Sequence, residues 1–261
     1  MFTGFNLSLT APALARLAKG VQARAAPLPD HGSRVKATLA TLLDPEGTLN
    51  VQRMTSEWFP DIACDVFLSH AHADADLARG LAQFLHDRFN VRTFIDADLW
   101  GSIADLQRRI DKHVRGDRMN SSYQEVLASS ANVHMILMGA LTKMMDRCEC
   151  LMFLNSPESV PVSDAAKPGA TSSTYSPWIY GEILMSSLIR RRLPDEHRPP
   201  VKRGFVLEAY REQPFRYVLP LEHLCPLDVE GLARWKDATE ASSRHRALDW
   251  LYRTHVPESF I

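Results

Sequence analysis

From Cys64 onward, short apolar runs bounded by polar residues alternate with longer stretches whose apolar residues recur every three or four positions. Val66-Phe67-Leu68, running into Ser69, has the outline of a buried strand. Leu77, Leu81, Phe84, Leu85 and Phe89 then fall at i, i+4, i+7, i+8 and i+12, one face of a helix. Val91 to Ile95 predicts a second strand, and Leu151 to Leu154 a third. Between them, Val133, Ile136, Leu137, Ala140, Leu141, Met144 and Met145 mark a helix; this Met-rich stripe has the spacing of a core face. Trp178 to Leu193 predicts a helix, Gly204 to Leu207 a fourth strand and Tyr217 to Leu219 a weak fifth. Alternation of this kind implies a mostly parallel sheet with helices on both faces. Ligands of such sheets bind at the carboxyl ends of the strands.

The flanks are less regular. Residues 1–60 read as helix, break, helix and connector, an accessory helical segment ahead of an α/β domain over 61–261. Leu14, Leu17 and Val21 line one side of the first helix, and Val35, Leu39, Leu42 and Leu43 one side of the second. Pro27–Gly32 and Pro45-Glu46-Gly47 are the breakers. The first 29 residues lack Asp and Glu and carry Arg16, Lys19 and Arg24, as a transit peptide does. Nothing there resembles a cleavage site, which favours a helix. Residues 102–130 are polar and poorly periodic, an insertion after the second strand. From about residue 211 the chain reads as a C-terminal extension containing Trp235 and Trp250.

Composition narrows the function. Apolar residues at 45% and charged residues at 23% allow a sizeable core. A formal net charge of −1 argues against a general nucleic-acid binder. The basic run Arg190-Arg191-Arg192 is expected at a helix end, where cations complement the dipole. Four cysteines without metal or disulfide spacing fit a reducing cytosol. No stretch approaches the roughly 18 apolar residues of a membrane span.

Candidate chemistry gathers at the strand ends. The first strand exits into Ser69-His70-Ala71-His72-Ala73-Asp74. HxHxD after a strand is most of a two-metal hydrolase signature, with imidazoles and carboxylate converging on zinc; its closing His is absent, because position 75 is Ala. The other reading, which we favour, makes Asp74 a helix N-cap while Ser69 and His70 line a pocket. The second strand exits through Asp96, Asp98 and Trp100, carboxylates and an indole suited to ribose hydroxyls and a flat ring, or simply a polar loop. The third exits as Asn155-Ser156-Pro157, a polar strand end or a turn. In Ser176-Pro177-Trp178-Ile179-Tyr180-Gly181-Glu182, Ser176 suits an N-cap and Pro177 the first helical position. Glu182 lies four residues from Trp178, so the two share a helix face, with Ile179 and Ile183 turned toward the sheet.

In this order the segments resemble the Toll/interleukin-receptor (TIR) family. DVFLSHAHAD is similar to its first box, FIDADLW to the strand entering its BB loop, and FLNSP to its third strand. SPWIYGE is similar to the helix start that carries the catalytic glutamate of enzymatic members. The match covers about Cys64 to Tyr210 and is nearest to bacterial antiphage (Thoeris-like) members; the segments flanking it and the 102–130 insertion depart from the pattern. The resemblance implies a flavodoxin-like α/β fold and cleavage of the nicotinamide–ribose bond of NAD. It makes Glu182 catalytic and assigns substrate binding to Ser69, His70, Asp96, Asp98, Trp100, Ser156 and Trp178. NAD is then a substrate and not a cofactor, since no GxGxxG is present. It further implies a cytoplasmic protein that self-associates and makes a nucleotide signal for a downstream effector or depletes NAD. The alternatives are a non-catalytic TIR scaffold and the metal-dependent hydrolase.

Overall fold

In a computed structural model of the chain, the described residues are 1–24, 64–95, 107–108, 111–112, 122–161, 172–197, 217–238 and 244–256. Their elements, in chain order, are β1 (Thr3–Leu7), α1 (Ala11–Ala18), β2 (Val66–Ser69), α2 (Ala75–Phe89), β3 (Thr93–Ile95), α3 (Tyr123–Arg147) and β4 (Cys150–Leu154). There follow β5 (Ser173–Thr174), α4 (Pro177–Leu188), β6 (Tyr217–Val218), β7 (Leu224–Leu227), α5 (Val229–Ala238) and α6 (Arg244–His255). Five strands make an all-parallel sheet in the order β3-β2-β4-β1-β7. This is an α/β architecture consistent with a flavodoxin-like fold. No helix among the described residues is long and apolar enough to cross a membrane.

Each face of the sheet is covered. Phe67, Phe94, Leu151 and Phe153 meet the apolar stripe of α3, with Ile179 and Ile183 of α4. The alternate residues Val66, Leu68 and Met152, with Phe5 and Leu7, meet α1, α2, α5 and α6. The first three expected strands are present, the second shorter than the expected 91–95 (Thr93–Ile95) and the third one residue longer than 151–154 (Cys150–Leu154), with a helix between each pair.

The first residues depart from the expectation of an accessory helical segment. Thr3–Leu7 pairs with β4 on one side and β7 on the other, inside the sheet. Among its described residues, 1–24, the helix is Ala11–Ala18, with Leu14 and Leu17 buried. The second expected helix, over 35–43, and the fourth expected strand, over 204–207, lie outside the described residues. Tyr217–Val218 pairs antiparallel with β5 and forms no part of the main sheet. The C-terminal extension belongs to the core: Trp235 stacks on Phe89 at 4.1 Å and donates its indole N–H to the Ala247 carbonyl at 2.7 Å.

Two further boundaries move. α3 begins at Tyr123, inside the expected insertion, because Ser122 and Glu125 form a capping box. Gln107, within that insertion, donates to Ser129 Oγ of α3 at 2.5 Å. α4 stops at Leu188, so Arg190–Arg192 follow the helix instead of ending it. Arg192 instead pairs with Asp146 at 2.6 Å, and its backbone N–H donates to the Met1 carbonyl. α4 therefore runs antiparallel to the strands, its carboxyl end near their amino ends.

At those amino ends Asp65, 5% exposed, is held by Arg92. The guanidinium donates to both carboxylate oxygens, at 2.7 and 3.0 Å, and the Arg92 backbone N–H donates at 2.8 Å. Asp65→Ala strands a half-buried guanidinium and should cost about 3–5 kcal/mol. Urea unfolding measures this, and a loss under 1 kcal/mol would show the pair to be incidental.

Three histidines predict the response to acid. Burial pushes His197 down to about 4 from its ordinary 6.5, and lowers His223 and His255 in the same direction. The folded state thus favours their neutral rings, while the unfolded chain takes up protons near pH 6.5. Their contribution is complete above about pH 6.5 and falls as the pH drops from there toward about 4. The thermal midpoint should fall over this window, and His197→Gln should flatten the fall; an identical slope in the variant would refute the assignment.

Candidate functional site

The strand order reverses between β2 and β4: the chain runs from β2 outward to β3, then returns across β2 to β4. Beyond the carboxyl ends of two such strands lies the crevice where parallel sheets bind ligands. β2 exits there as Ser69 and His70, and β4 as Asn155 and Ser156.

Ser69 and His70 are buried, at 0% and 3% exposure. Ser69 shares the parity of Phe67 and so faces the α3–α4 side. His70 Nδ1 lies 3.3 Å from the Leu68 carbonyl. A carbonyl can only accept, so Nδ1 is the donor in this contact.

The next residues divide. Ala71 is buried and His72 exposed, in a short 3₁₀ turn that leads into α2. Asp74 occupies the N-cap position of α2, as expected, but makes no side-chain cap bond. Its carboxylate accepts instead from Ser156 Oγ across the crevice, at 2.5 Å. His70 is thus inside, His72 outside and Asp74 engaged with a hydroxyl. Among the described residues no three or more His, Cys, Asp or Glu side chains are grouped to hold a metal ion. The donors required by the hydrolase reading do not converge.

Ser156, expected to bind substrate, has its hydroxyl already filled. The proton goes to Asp74, while the oxygen accepts from the backbone N–H groups of Glu158 and Ser159, both at 3.1 Å. One donor and two acceptor sites are all that a serine has. Ser159 closes the turn, accepting from Ser156 N–H and donating to the Leu154 carbonyl. Ser156 therefore positions the β4 turn against the β2 turn.

α4 begins as its sequence predicts. Ser176 Oγ accepts from the Ile179 N–H at 3.3 Å, with Pro177 at the first helical position. Glu182 lies midway along the helix and is wholly buried, in the same turn as Ile179 and Ile183. Gly181 lets α4 approach α3 here, since a Cβ would meet the Met138 Cε at 2.8 Å. Trp178, half-buried, stacks on His134 of α3 with ring centroids 5.3 Å apart and 13° between planes. Asp96, Asp98 and Trp100 lie outside the described residues.

No family model matches this chain, and neither the curated proteins nor the solved structures yield a match. The site's meaning therefore rests on its own residues.

The filled hydroxyl of Ser156 gives a direct test. Ser156→Ala removes one bond to a carboxylate and takes the side-chain acceptor from the Glu158 N–H, while the Ser159 N–H keeps the Ser156 carbonyl, and should cost about 1–3 kcal/mol of stability. The Michaelis constant for any substrate of this crevice should stay within twofold. An unchanged urea midpoint with a raised Michaelis constant would return Ser156 to the ligand-binding set.

Proposed function

We propose that this chain is a TIR-type enzyme that cleaves the nicotinamide–ribose bond of NAD, with Glu182 as its catalytic carboxylate. The observation that supports the reading is the full burial of Glu182 on a helix that packs over the same sheet face as Ser69. The chemistry fits a single carboxylate. Nicotinamide departs with the bonding electron pair and leaves as a neutral ring, so it needs no general acid. An oxocarbenium-like ribose remains, which water then attacks at the anomeric carbon, with loss of a proton. A preorganised carboxylate stabilises that developing cation, and does so more strongly where water is excluded.

In this reading Ser69 and His70 line the ribose and phosphate side. Trp178 packs near the nicotinamide ribose, and Asp96, Asp98 and Trp100 hold the remote part of the molecule. The product is a nucleotide signal read by a downstream effector, or NAD is simply depleted, in bacterial antiphage defence. Self-association through the TIR-type domain and a cytoplasmic location belong to the same proposal.

A non-catalytic scaffold is the second reading. It is favoured by Tyr123, Val126 and Leu127, exposed apolar residues on the first turns of α3. Glu182 separates the two. Glu182→Gln keeps the buried volume and removes the charge, so the protein should fold while nicotinamide release falls by about 10²–10³-fold. Glu182→Ala adds a cavity and is the less clean comparison. The measurement is NAD consumption by wild type and variant under activating conditions, with products identified by mass. Equal rates would remove the catalytic assignment and leave the scaffold.

A further inference from the structure

Two polar atoms on the same face of the sheet are without a bond, and one of them, on Asn6, has no part in the reading above. Ser69 Oγ and Asn6 Oδ1 are both shielded from solvent, and neither has a hydrogen-bond partner among the described residues. Buried polar atoms in folded proteins are nearly always paired, so each such exception calls for a partner.

The sheet places the two atoms in one row. Asn6 of β1 and Ser69 of β2 both take Phe153 of β4 as their register partner, one from each side. Phe5 and Leu7 pack on the face that carries α1 and α2, so Asn6 between them points to the opposite face. Ser69 points the same way, since Phe67 and Phe153 belong to that side. α3 and α4 cover it, and α4 carries Glu182. Two strand spacings put the Cα atoms of Asn6 and Ser69 about 10 Å apart, too far for their side chains to bond each other. Each therefore takes its partner from elsewhere, and one ligand extending past Phe153 could supply both.

We infer that Asn6 is a substrate-positioning residue, its Oδ1 accepting a hydrogen bond from a sugar hydroxyl of a ligand that also contacts Ser69. The inference rests on the NAD reading for the source of that sugar. An amide oxygen only accepts, which excludes an ionised phosphate as its partner. The surroundings are apolar, with Phe153 beside Asn6 and Leu151 and Leu224 around the neighbouring Gly4, so a cationic donor would bury an unpaired charge. An uncharged donor remains. NAD offers hydroxyls on its riboses, an amino group on adenine and an amide on nicotinamide, and ADP-ribose carries the first two; a hydroxyl is the donor we assign.

The test uses the full chain and Asn6→Leu, close in size and lacking the acceptor. Calorimetry gives affinities for NAD, ADP-ribose and nicotinamide, and a thermal melt gives stability. The thermal midpoint should stay level or rise, because a stranded polar atom is removed. Affinity for NAD and ADP-ribose should fall about tenfold, that for nicotinamide should not change, and Asn6→Ala should repeat the pattern should Leu prevent folding. Undiminished affinity for ADP-ribose would overturn the inference, making a buried water the partner of Asn6. A lowered midpoint with unchanged affinities would do the same, assigning Asn6 a structural role. Loss confined to nicotinamide would overturn the hydroxyl assignment, as would an Asn6 effect that vanishes with the hypoxanthine analogue of NAD, which lacks the adenine amino group. Wild type that binds neither NAD nor ADP-ribose removes the NAD reading and this inference together. Binding sensitive to Asn6, with cleavage insensitive to Glu182→Gln, would sustain Asn6 and remove only Glu182.

Discussion

Asp65 takes three hydrogen bonds from Arg92, while its own carbonyl accepts the N–H groups of Glu149 and Cys150. One residue thereby joins the amino ends of β2, β3 and β4. A parallel sheet has no tight hairpins to set its register, because each crossover is long and leaves the strands free to slide. A slip by one residue would turn every side chain to the other face. Here it would send Ser69 to the α2 side and Phe67 away from α3. The pair at one end of the strands thus decides which residues emerge in the crevice at the other.

The opposite end has a weaker fastening of its own. Ser156 joins the turn after β4 to Asp74 at the start of α2, and Ser159 closes that turn on the Leu154 carbonyl. Between these fastenings the sheet edges are apolar and interchangeable, but the crevice walls are not. His70 Nδ1 meets the carbonyl of Leu68 two residues before it, a local contact in which Nδ1 is the donor. The Asp74 carboxylate, which would have been the natural partner in a metal site, is drawn off to Ser156.

Where the sequence was readable, the reason is periodicity. Val66–Leu68 and Leu151–Leu154 are apolar runs because both faces of those strands are covered, and α2 and α3 carry long one-sided stripes. β1 escaped because Gly4 and Asn6 interrupt it and it is only five residues long, although Phe5, Leu7 and Leu9 alternate as a strand should. β7 carries Pro226, which argues against a central strand and suits its position at the edge of the described sheet, where among the described residues it pairs with β1. The start of α3 was signalled by Ser122 and Glu125 at capping-box spacing, amid polar residues that read as loop. Ser176 and Pro177 gave the start of α4 correctly, because cap chemistry is local and needs no tertiary context.

The site divides along the same line. Ser69, His70 and Glu182 stand in recognisable local settings, whereas nothing near Asn6 in the sequence marks it. Its place depends on strand order: β4 pairs with β2 on one side and with β1 on the other, so residues 6 and 69 share a row only through residue 153. Such a relation is a property of the sheet and leaves no trace in spacing along the chain. The strands that surround the crevice therefore come from three distant parts of the chain. The polar atoms proposed to position a ligand there, Asn6 Oδ1 and Ser69 Oγ, are those to which their shared register partner Phe153 offers no side-chain bond.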